Sequence, residues 1–303
     1  MTELNIAERL KLLVGPQRVR TQEPMRHHTS FRIGGPADVL VEPGSEVELC
    51  RLITECNNLQ VPFLVIGKGS NLLISDSGIR GVVLKIGRSL NRVSVCQDQV
   101  TAQAGVTLDS LARIVLQHSL AGFEFAGGIP GTLGGALAMN AGAYGGEMKD
   151  ILVSCRVLSI EGEVSILPLE DMEMGYRSSR VQRTKEVILS ATMRLTTGRY
   201  RQIKFLMDDY WQRRITRQPY YLPSGGSVFK RPEGYFAGKL IEDCQLKGFS
   251  IGDAMVSDLH AGFIVNKGNA TAADVVKLMS LIQNRVKEKF GVELEPELRV
   301  IGV

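Results

Sequence analysis

Three clusters in this 303-residue chain carry side chains able to do chemistry. In the first, Tyr176-Arg177-Ser178-Ser179-Arg180 sets two arginines beside a tyrosine. Guanidinium forks bind carboxylates or phosphates through paired hydrogen bonds; the same cluster also serves as a solvated basic face. In the second, Ser227 follows Gly225-Gly226 and leads the strand-like run SVFKR. A serine so placed is a held turn residue, or a proton donor whose alkoxide something stabilises. No G-x-S-x-G elbow surrounds it, which argues against a hydrolase nucleophile. In the third, Glu293, Glu295 and Glu297 alternate along VELEPELRVIG, so a strand here puts all three on one face. Such carboxylates repel unless the face is wet or one acid is held protonated.

Two further segments offer backbone rather than side chains. The turn Gly67-Lys68-Gly69-Ser70-Asn71 follows the apolar run PFLVIG. Glycine permits positive φ, so successive N–H groups can face an anion, with Ser70 and Asn71 as added donors. A tight strand-to-strand turn has the same needs. The stretch GGIPGTLGGALAMNAGAYGG (127–146) holds eight glycines in twenty residues. It lacks the GK[ST] of a P-loop and the spacing of a dinucleotide GxGxxG. Backbone so poor in side chains must approach something closely, and a pyrophosphate is a natural partner. A mobile surface loop is disfavoured, because Ile129, Leu133, Leu137 and Met139 would be costly to leave in water.

Other chemistries have little to stand on. His27 and His28 are adjacent, His118 and His260 are isolated, and no HExxH exists. The five cysteines (Cys50, Cys56, Cys96, Cys155, Cys244) contain no CxxC pair and read as reduced thiols, so no metal is expected. A net charge of +4 is too small and dispersed for a nucleic-acid footprint. No apolar run reaches the ~18 residues of a membrane span, and MTELNIAERLKLLVG lacks the apolar core of a secretory signal. A cytoplasmic protein is expected.

The elements that must position these clusters are legible from periodicity. Ile6, Leu10 and Leu13 mark an amphipathic helix; 38–42 is a strand; 45–59 is a helix with Ser45 as N-cap and Val47, Leu49, Leu52, Ile53 and Cys56 on one side. Strands follow at 62–67, 81–86, 93–96 and 100–105, a helix over 107–120, and strands at 151–160, 163–168 and 186–195. A helix over 201–218 stops at Pro219. The clearest helix spans 271–290, capped by Thr271 and Asp274, stopped by Gly291, and buried along Val275, Leu278, Met279, Ile282, Val286 and Phe290. The class is α+β, in three consecutive units: 1–88, 89–200 and 201–303.

Taken in order, HHTSFRIGGPAD (27–38), GKGSNLLISD (67–76), FAGGIPGTLGGALAMNAGAYGGEMKD (125–150), YRSSR (176–180), SGGSVFKRP (224–232), AGKLIEDCQLKG (237–248), VSDLHAGFIVN (256–266) and LEPELRVIG (294–302) resemble the UDP-N-acetylenolpyruvoylglucosamine reductase family over nearly the whole chain. The resemblance implies an FAD-binding fold of the vanillyl-alcohol-oxidase type, with two α+β subdomains around the flavin and a C-terminal α+β substrate domain in a short form without the family's extra insertions. It implies non-covalent FAD, NADPH as co-substrate, and UDP-N-acetylglucosamine enolpyruvate as the compound reduced to UDP-N-acetylmuramate. By motif, Ser227 protonates C2, while Arg177 and Glu297 stabilise the enolate-like intermediate. Gly67, Lys68, Gly69, Ser70, Asn71, Gly128, Gly131, Thr132 and Gly135 surround the FAD pyrophosphate, and Tyr176, Lys230, Lys239 and Asn266 contact the UDP-sugar. No nucleic-acid, membrane or obligate protein partner is implied.

The chain departs from the family pattern at Cys244-Gln245, where a small residue and a glycine are usual, and at GDAMVS (252–257). Two rival readings are a flavin oxidase of the same fold with another substrate, and a non-catalytic nucleotide-sugar-binding module without flavin.

Overall fold

The computed structural model describes residues 5–302; the outermost residues of the first and third expected units, 1–4 and 303, lie outside them. The chain groups into two units that interleave in sequence. The first comprises the chain up to Thr21, Val39–Lys68 and Gly81–Arg213; the second comprises Gln22–Asp38, Gly69–Arg80 and everything from Arg214 on. The three consecutive blocks drawn from the sequence miss this interleaving. A parallel pairing accounts for part of it: Leu72–Ile74 lies beside Arg299–Ile301, with Arg299 opposite Leu72. Parallel strands need a long connection, so nothing local announces their partnership.

In the first unit, α1 (Ile6–Val14) starts at Asn5, whose side chain accepts from the Ala7 N–H. Helix α2 (Glu46–Asn58) starts at Ser45, which accepts from the Glu48 N–H. It buries Leu49, Leu52, Ile53 and Cys56. Val47, expected on that face, is 59% exposed. One sheet has the strand order Val19–Pro24, Pro36–Val41, Ile79–Lys85, Phe63–Ile66, the last two parallel; its residues 19–21, 39–41, 63–66 and 81–85 belong to this unit. The other runs antiparallel in the order Val164–Pro168, Leu152–Leu158, Val187–Arg194, Gln99–Gln103, Val93–Cys96. Pro168 ends an edge strand, the position where a missing N–H is tolerated. Helix α3 (Leu108–Gln117) buries Leu108, Leu111, Ala112 and Val115 into the same core.

The glycine-rich stretch is ordered rather than a surface loop. It contains α4 (Leu133–Ala138), whose Leu133 and Leu137 are fully buried, and a small hairpin from Gly142–Ala143 and Gly146–Glu147. Burial of those leucines is the force that brings this side-chain-poor backbone down onto the fold. The short α5 (Arg180–Thr184) and the long α6 (Tyr200–Arg217) follow.

In the second unit, an antiparallel sheet has the order Ser224–Ser227, Phe263–Asn266, Ala254–Val256, Ser250–Ile251. Against it pack α7 (Ala237–Asp243) and α8 (Ala272–Phe290). Helix α8 has the expected capping box of Thr271 and Asp274 and buries Val275, Leu278, Met279, Ile282 and Val286, with Phe290 half-buried. An additional anchor comes from Asp76: its two carboxylate oxygens accept from the N–H groups of Ala272 (2.8 Å) and Ala273 (3.0 Å). An acid at a helix N-terminus satisfies orphan donors and meets the positive end of the dipole.

Among the described residues, no helix is long and apolar enough to cross a membrane, and no group of three or more His, Cys, Asp or Glu is gathered to hold a metal.

Candidate active site

Arg177 belongs to the first unit and sits at the apex of a turn closed by Gly175 and Ser178, which exchange backbone hydrogen bonds of 3.1 and 3.3 Å. Its φ of +54° is left-handed, a region that costs a non-glycine residue free energy unless the surroundings hold it there. The guanidinium lies 4.9 Å from the centre of the exposed Tyr176 ring and donates to the Gly142 carbonyl at 3.3 Å. Arg180, its neighbour in sequence, forms a two-pronged pair with Glu186 (3.0 and 3.1 Å). The two arginines are therefore not one clamp. Arg180 is tied down within the fold, while Arg177 stands half-buried at the turn.

Ser227 and Glu297 belong to the second unit, and the backbone links them. Ser227 ends a strand instead of leading one, the reverse of the expectation for SVFKR. Ser224 faces Val265 and Ser227 faces Phe263, so the strand carries an extra residue and bulges. Gly226 makes the bulge possible at φ +83°. Gly225 must be glycine for another reason: a Cβ there would lie 2.4 Å from the Leu298 side chain. The result is an exposed Ser227 followed at once by buried Val228 and Phe229.

Glu297 reaches this strand through a strap. The Glu297 N–H donates to the Val228 carbonyl at 2.8 Å, and the Lys230 N–H donates to the Glu295 carbonyl at 2.8 Å. The Asn71 side-chain amide donates to the Glu297 carbonyl at 3.1 Å. The expected strand with three carboxylates on one face does not form; only Arg299–Ile301 is a strand. Pro296 pairs with Phe229 in an isolated bridge and, with no N–H to give, cannot extend pairing to a second neighbour. Glu293 pairs instead with Lys287 at 2.6 Å, which holds its carboxyl below the usual range, and Glu295 pairs with Lys230. Glu297 is the half-buried member of the three.

The glycines expected around the pyrophosphate fall into two groups. In the first unit, Gly67 meets Thr132: a Cβ on Gly67 would come within 2.2 Å of the Thr132 hydroxyl. Two segments far apart in sequence, 67–68 and 128–135, are thus brought together. Gly128 takes φ +80°, the Gly131 carbonyl accepts from the Leu108 N–H, and Gly135 is exposed with only Thr132 near its missing Cβ. A hydroxyl gathered with side-chain-free backbone fits an anionic cofactor that needs close backbone approach. Lys68 is exposed beside this group. In the second unit, Gly69 adopts φ +65° and would clash with the His28 carbonyl if it bore a Cβ, while the Ser70 carbonyl accepts from the Ser30 hydroxyl. Asn71 is engaged with Glu297 as described.

Of the four residues expected against the UDP-sugar, Tyr176 is exposed beside Arg177. Lys230 is paired with Glu295, and Lys239 pairs along α7 with Asp243 at 2.7 Å on an exposed face. Asn266 is 1% exposed and committed inside the fold. Its amide donates to the Phe31 carbonyl and its oxygen accepts from the Gly268 and Ala270 N–H groups. Sequence reasoning missed Asn140 and Gln182, which hold the Arg177 turn, and His260, which braces the strand opposite Ser227. Polar residues that serve other residues carry no motif of their own.

Comparison with known proteins gives the family. An FAD-binding domain family matches residues 37–167, and the C-terminal domain of UDP-N-acetylenolpyruvoylglucosamine reductase matches residues 218–301. Proteins named UDP-N-acetylenolpyruvoylglucosamine reductase from Alkaliphilus metalliredigens and Clostridioides difficile are 50% and 48% identical to this chain, each over 100% of it and 99% of their own length. The crystal structure of the enzyme of that name from Thermus caldophilus superimposes with a TM-score of 0.79 at 32% identity, over 91% of this chain and 97% of that one. With half its residues shared along its entire length, an FAD-binding domain in its first part and the reductase's own domain in its last, this chain belongs to the UDP-N-acetylenolpyruvoylglucosamine reductase family of FAD-dependent oxidoreductases.

Proposed function

We propose that the protein reduces UDP-N-acetylglucosamine enolpyruvate to UDP-N-acetylmuramate with electrons from NADPH. This is a cytoplasmic step of peptidoglycan precursor synthesis, run on non-covalent FAD and without an obligate protein partner. The observation that carries the reading is the backbone link between the strand that presents the Ser227 hydroxyl and Glu297: Glu297 bonds through its N–H to Val228, the residue after Ser227.

FAD, which Gly67, Lys68, Gly69, Ser70, Asn71, Gly128, Gly131, Thr132 and Gly135 would hold by its pyrophosphate, would supply the hydride chemistry between NADPH and C3 of the enolpyruvyl ether. The chain's residues deal with the charge and the proton that this leaves behind. Arg177 offers a fixed cationic fork to the substrate carboxylate, where negative charge gathers as the double bond is lost. Ser227 gives its hydroxyl proton to C2; the O–H bond breaks, the C–H bond forms, and the exposed alkoxide regains a proton from water. The Glu297 carboxyl assists as a hydrogen-bonding acid, its backbone fixed from both sides by Val228 and Asn71.

The test is optical. The expected result is a yellow purified protein that bleaches when NADPH is added without air and recovers its colour when the enolpyruvyl substrate follows. Bleaching without recovery transfers the substrate assignment to another flavin oxidation. A colourless protein that takes up no added FAD sinks the reading.

A further inference from the structure

Arg177 is held in a left-handed conformation by residues that the proposed proton and charge chemistry does not itself use. Its carbonyl accepts from the side-chain amide of Gln182 at 3.2 Å, and the same amide donates to the Ala138 carbonyl at 2.6 Å. The turn is held at its base by Asn140, which is 0% exposed and itself left-handed at φ +40°. The Asn140 amide donates to the Gly175 carbonyl at 2.9 Å, and its oxygen accepts from the Lys149 N–H at 3.0 Å. The third hold is on the guanidinium itself. Its acceptor, the Gly142 carbonyl, begins the small hairpin whose tip carries Tyr144. Tyr144 stacks on Tyr210 of α6, with ring centres 4.4 Å apart and planes 10° from parallel, and donates to the Tyr210 carbonyl at 3.1 Å.

The glycine-rich stretch thus has a second face. Beyond Gly128–Gly135, residues 138–144 form a cradle for Arg177: Ala138 and Asn140 fix the turn through Gln182 and Gly175, and Gly142 fixes the side chain through the Tyr144–Tyr210 stack. We propose that Gln182, Asn140 and Tyr144 are positioning residues that set the place and direction of the Arg177 guanidinium. The inference rests on the role given to Arg177 above. A fork that stabilises developing charge works only within a few tenths of an ångström of its target, so loosening its mount slows the step it serves and leaves other steps alone.

The experiment is a double-mutant cycle read on the two half-reactions of the holoenzyme. Gln182→Met keeps the side-chain length and removes the donor. The expected result is an about tenfold to hundredfold slower reoxidation of the reduced flavin by the enolpyruvyl substrate, with NADPH bleaching at the wild-type rate. In an Arg177→Lys background, the same substitution changes nothing further, because the mount has lost what it held. Tyr144→Ala, which leaves the bonds of Gln182 and Asn140 in place, gives the same coupled pattern and serves if Gln182→Met folds poorly. Equal slowing in both backgrounds, or slowing of both half-reactions, overturns the proposal while leaving Arg177 its role. An Arg177→Lys enzyme that reoxidises at the wild-type rate overturns that role and this inference together.

Discussion

The side-chain amide of Asn71 donates to the backbone carbonyl of Glu297 at 3.1 Å, and the Arg299 N–H returns a bond to the Asn71 carbonyl at 3.1 Å. Asn71, expected beside the FAD pyrophosphate, thus also clamps the C-terminal strap. Asn71→Ala removes that clamp. The expected outcome is flavin reoxidation by the enolpyruvyl substrate about tenfold slower, and a loss of about 1 kcal/mol in urea unfolding for the lost bond. An unchanged reoxidation rate with much weaker FAD binding instead returns Asn71 to the cofactor.

Ser227→Ala removes the hydroxyl presented by the Gly226 bulge. A positioned acid contributes ~10²–10⁴-fold, so single-turnover reoxidation drops by that range while NADPH still bleaches the flavin normally. A Ser227→Ala enzyme with normal turnover would falsify the proton-donor role.

His260 makes stability depend on pH. Its Nδ1 accepts from the Gly262 N–H at 3.1 Å, and its ring meets Phe263 edge-on at 5.0 Å. Gly262 in turn accepts from the Val228 N–H, and Phe263 lies opposite Ser227. Burial lowers its pKa from 6.5, an effect to which Lys247 adds and which a hydrogen bond to His260's own backbone and the charge of Glu242 oppose. The unfolded chain therefore binds the proton more readily, and stability rises with pH. The contribution is whole above 6.5 and is lost as pH falls below that value through the lowered folded one. His260→Asn keeps an acceptor but cannot titrate, so urea midpoints measured from about pH 8 to 5 should flatten. Parallel curves for the two proteins would show that His260 is not the group responsible.

Gln245 carries the family's departure into backbone geometry. It follows α7 at φ +59°, its N–H bonded to the Glu242 carbonyl at 2.8 Å. A left-handed residue just past a helix end is ordinarily glycine. Gln245→Gly relieves a strain of about 1 kcal/mol and gives back part of it in unfolded-chain entropy. A thermal midpoint raised by a degree or more is expected, with NADPH bleaching unchanged. A lowered midpoint means the Gln245 side chain makes contacts worth more than the strain.

Much of the local structure was legible because it is written in spacing that a helix or strand must obey. Helix α8 came out with its cap, its stop and its buried stripe, since each depends on neighbours within a few positions. The burial of Leu133 and Leu137 followed from the cost of leaving them in water, and it turned a glycine-rich stretch from loop into packed backbone. The acidic C-terminal run departs from the expected strand because alternation records only where side chains could point, whereas backbone pairing there stops at a single bridge between Pro296 and Phe229 before Arg299–Ile301.

By itself, the sequence determined the α+β class, the family, and the residue types available for binding a flavin and moving a proton. Those follow from motif order and from short-range periodicity. Only the tertiary structure decided that the chain interleaves into two units, that Asn71 serves Glu297, that Gln182 and Asn140 hold Arg177, and that Asn266 and Lys239 have other partners. Each of these depends on a hydrogen bond or ion pair whose reach is set by three-dimensional packing. A polar side chain takes the same form in sequence whether it meets a ligand, a carbonyl or water, and only the fold selects among them.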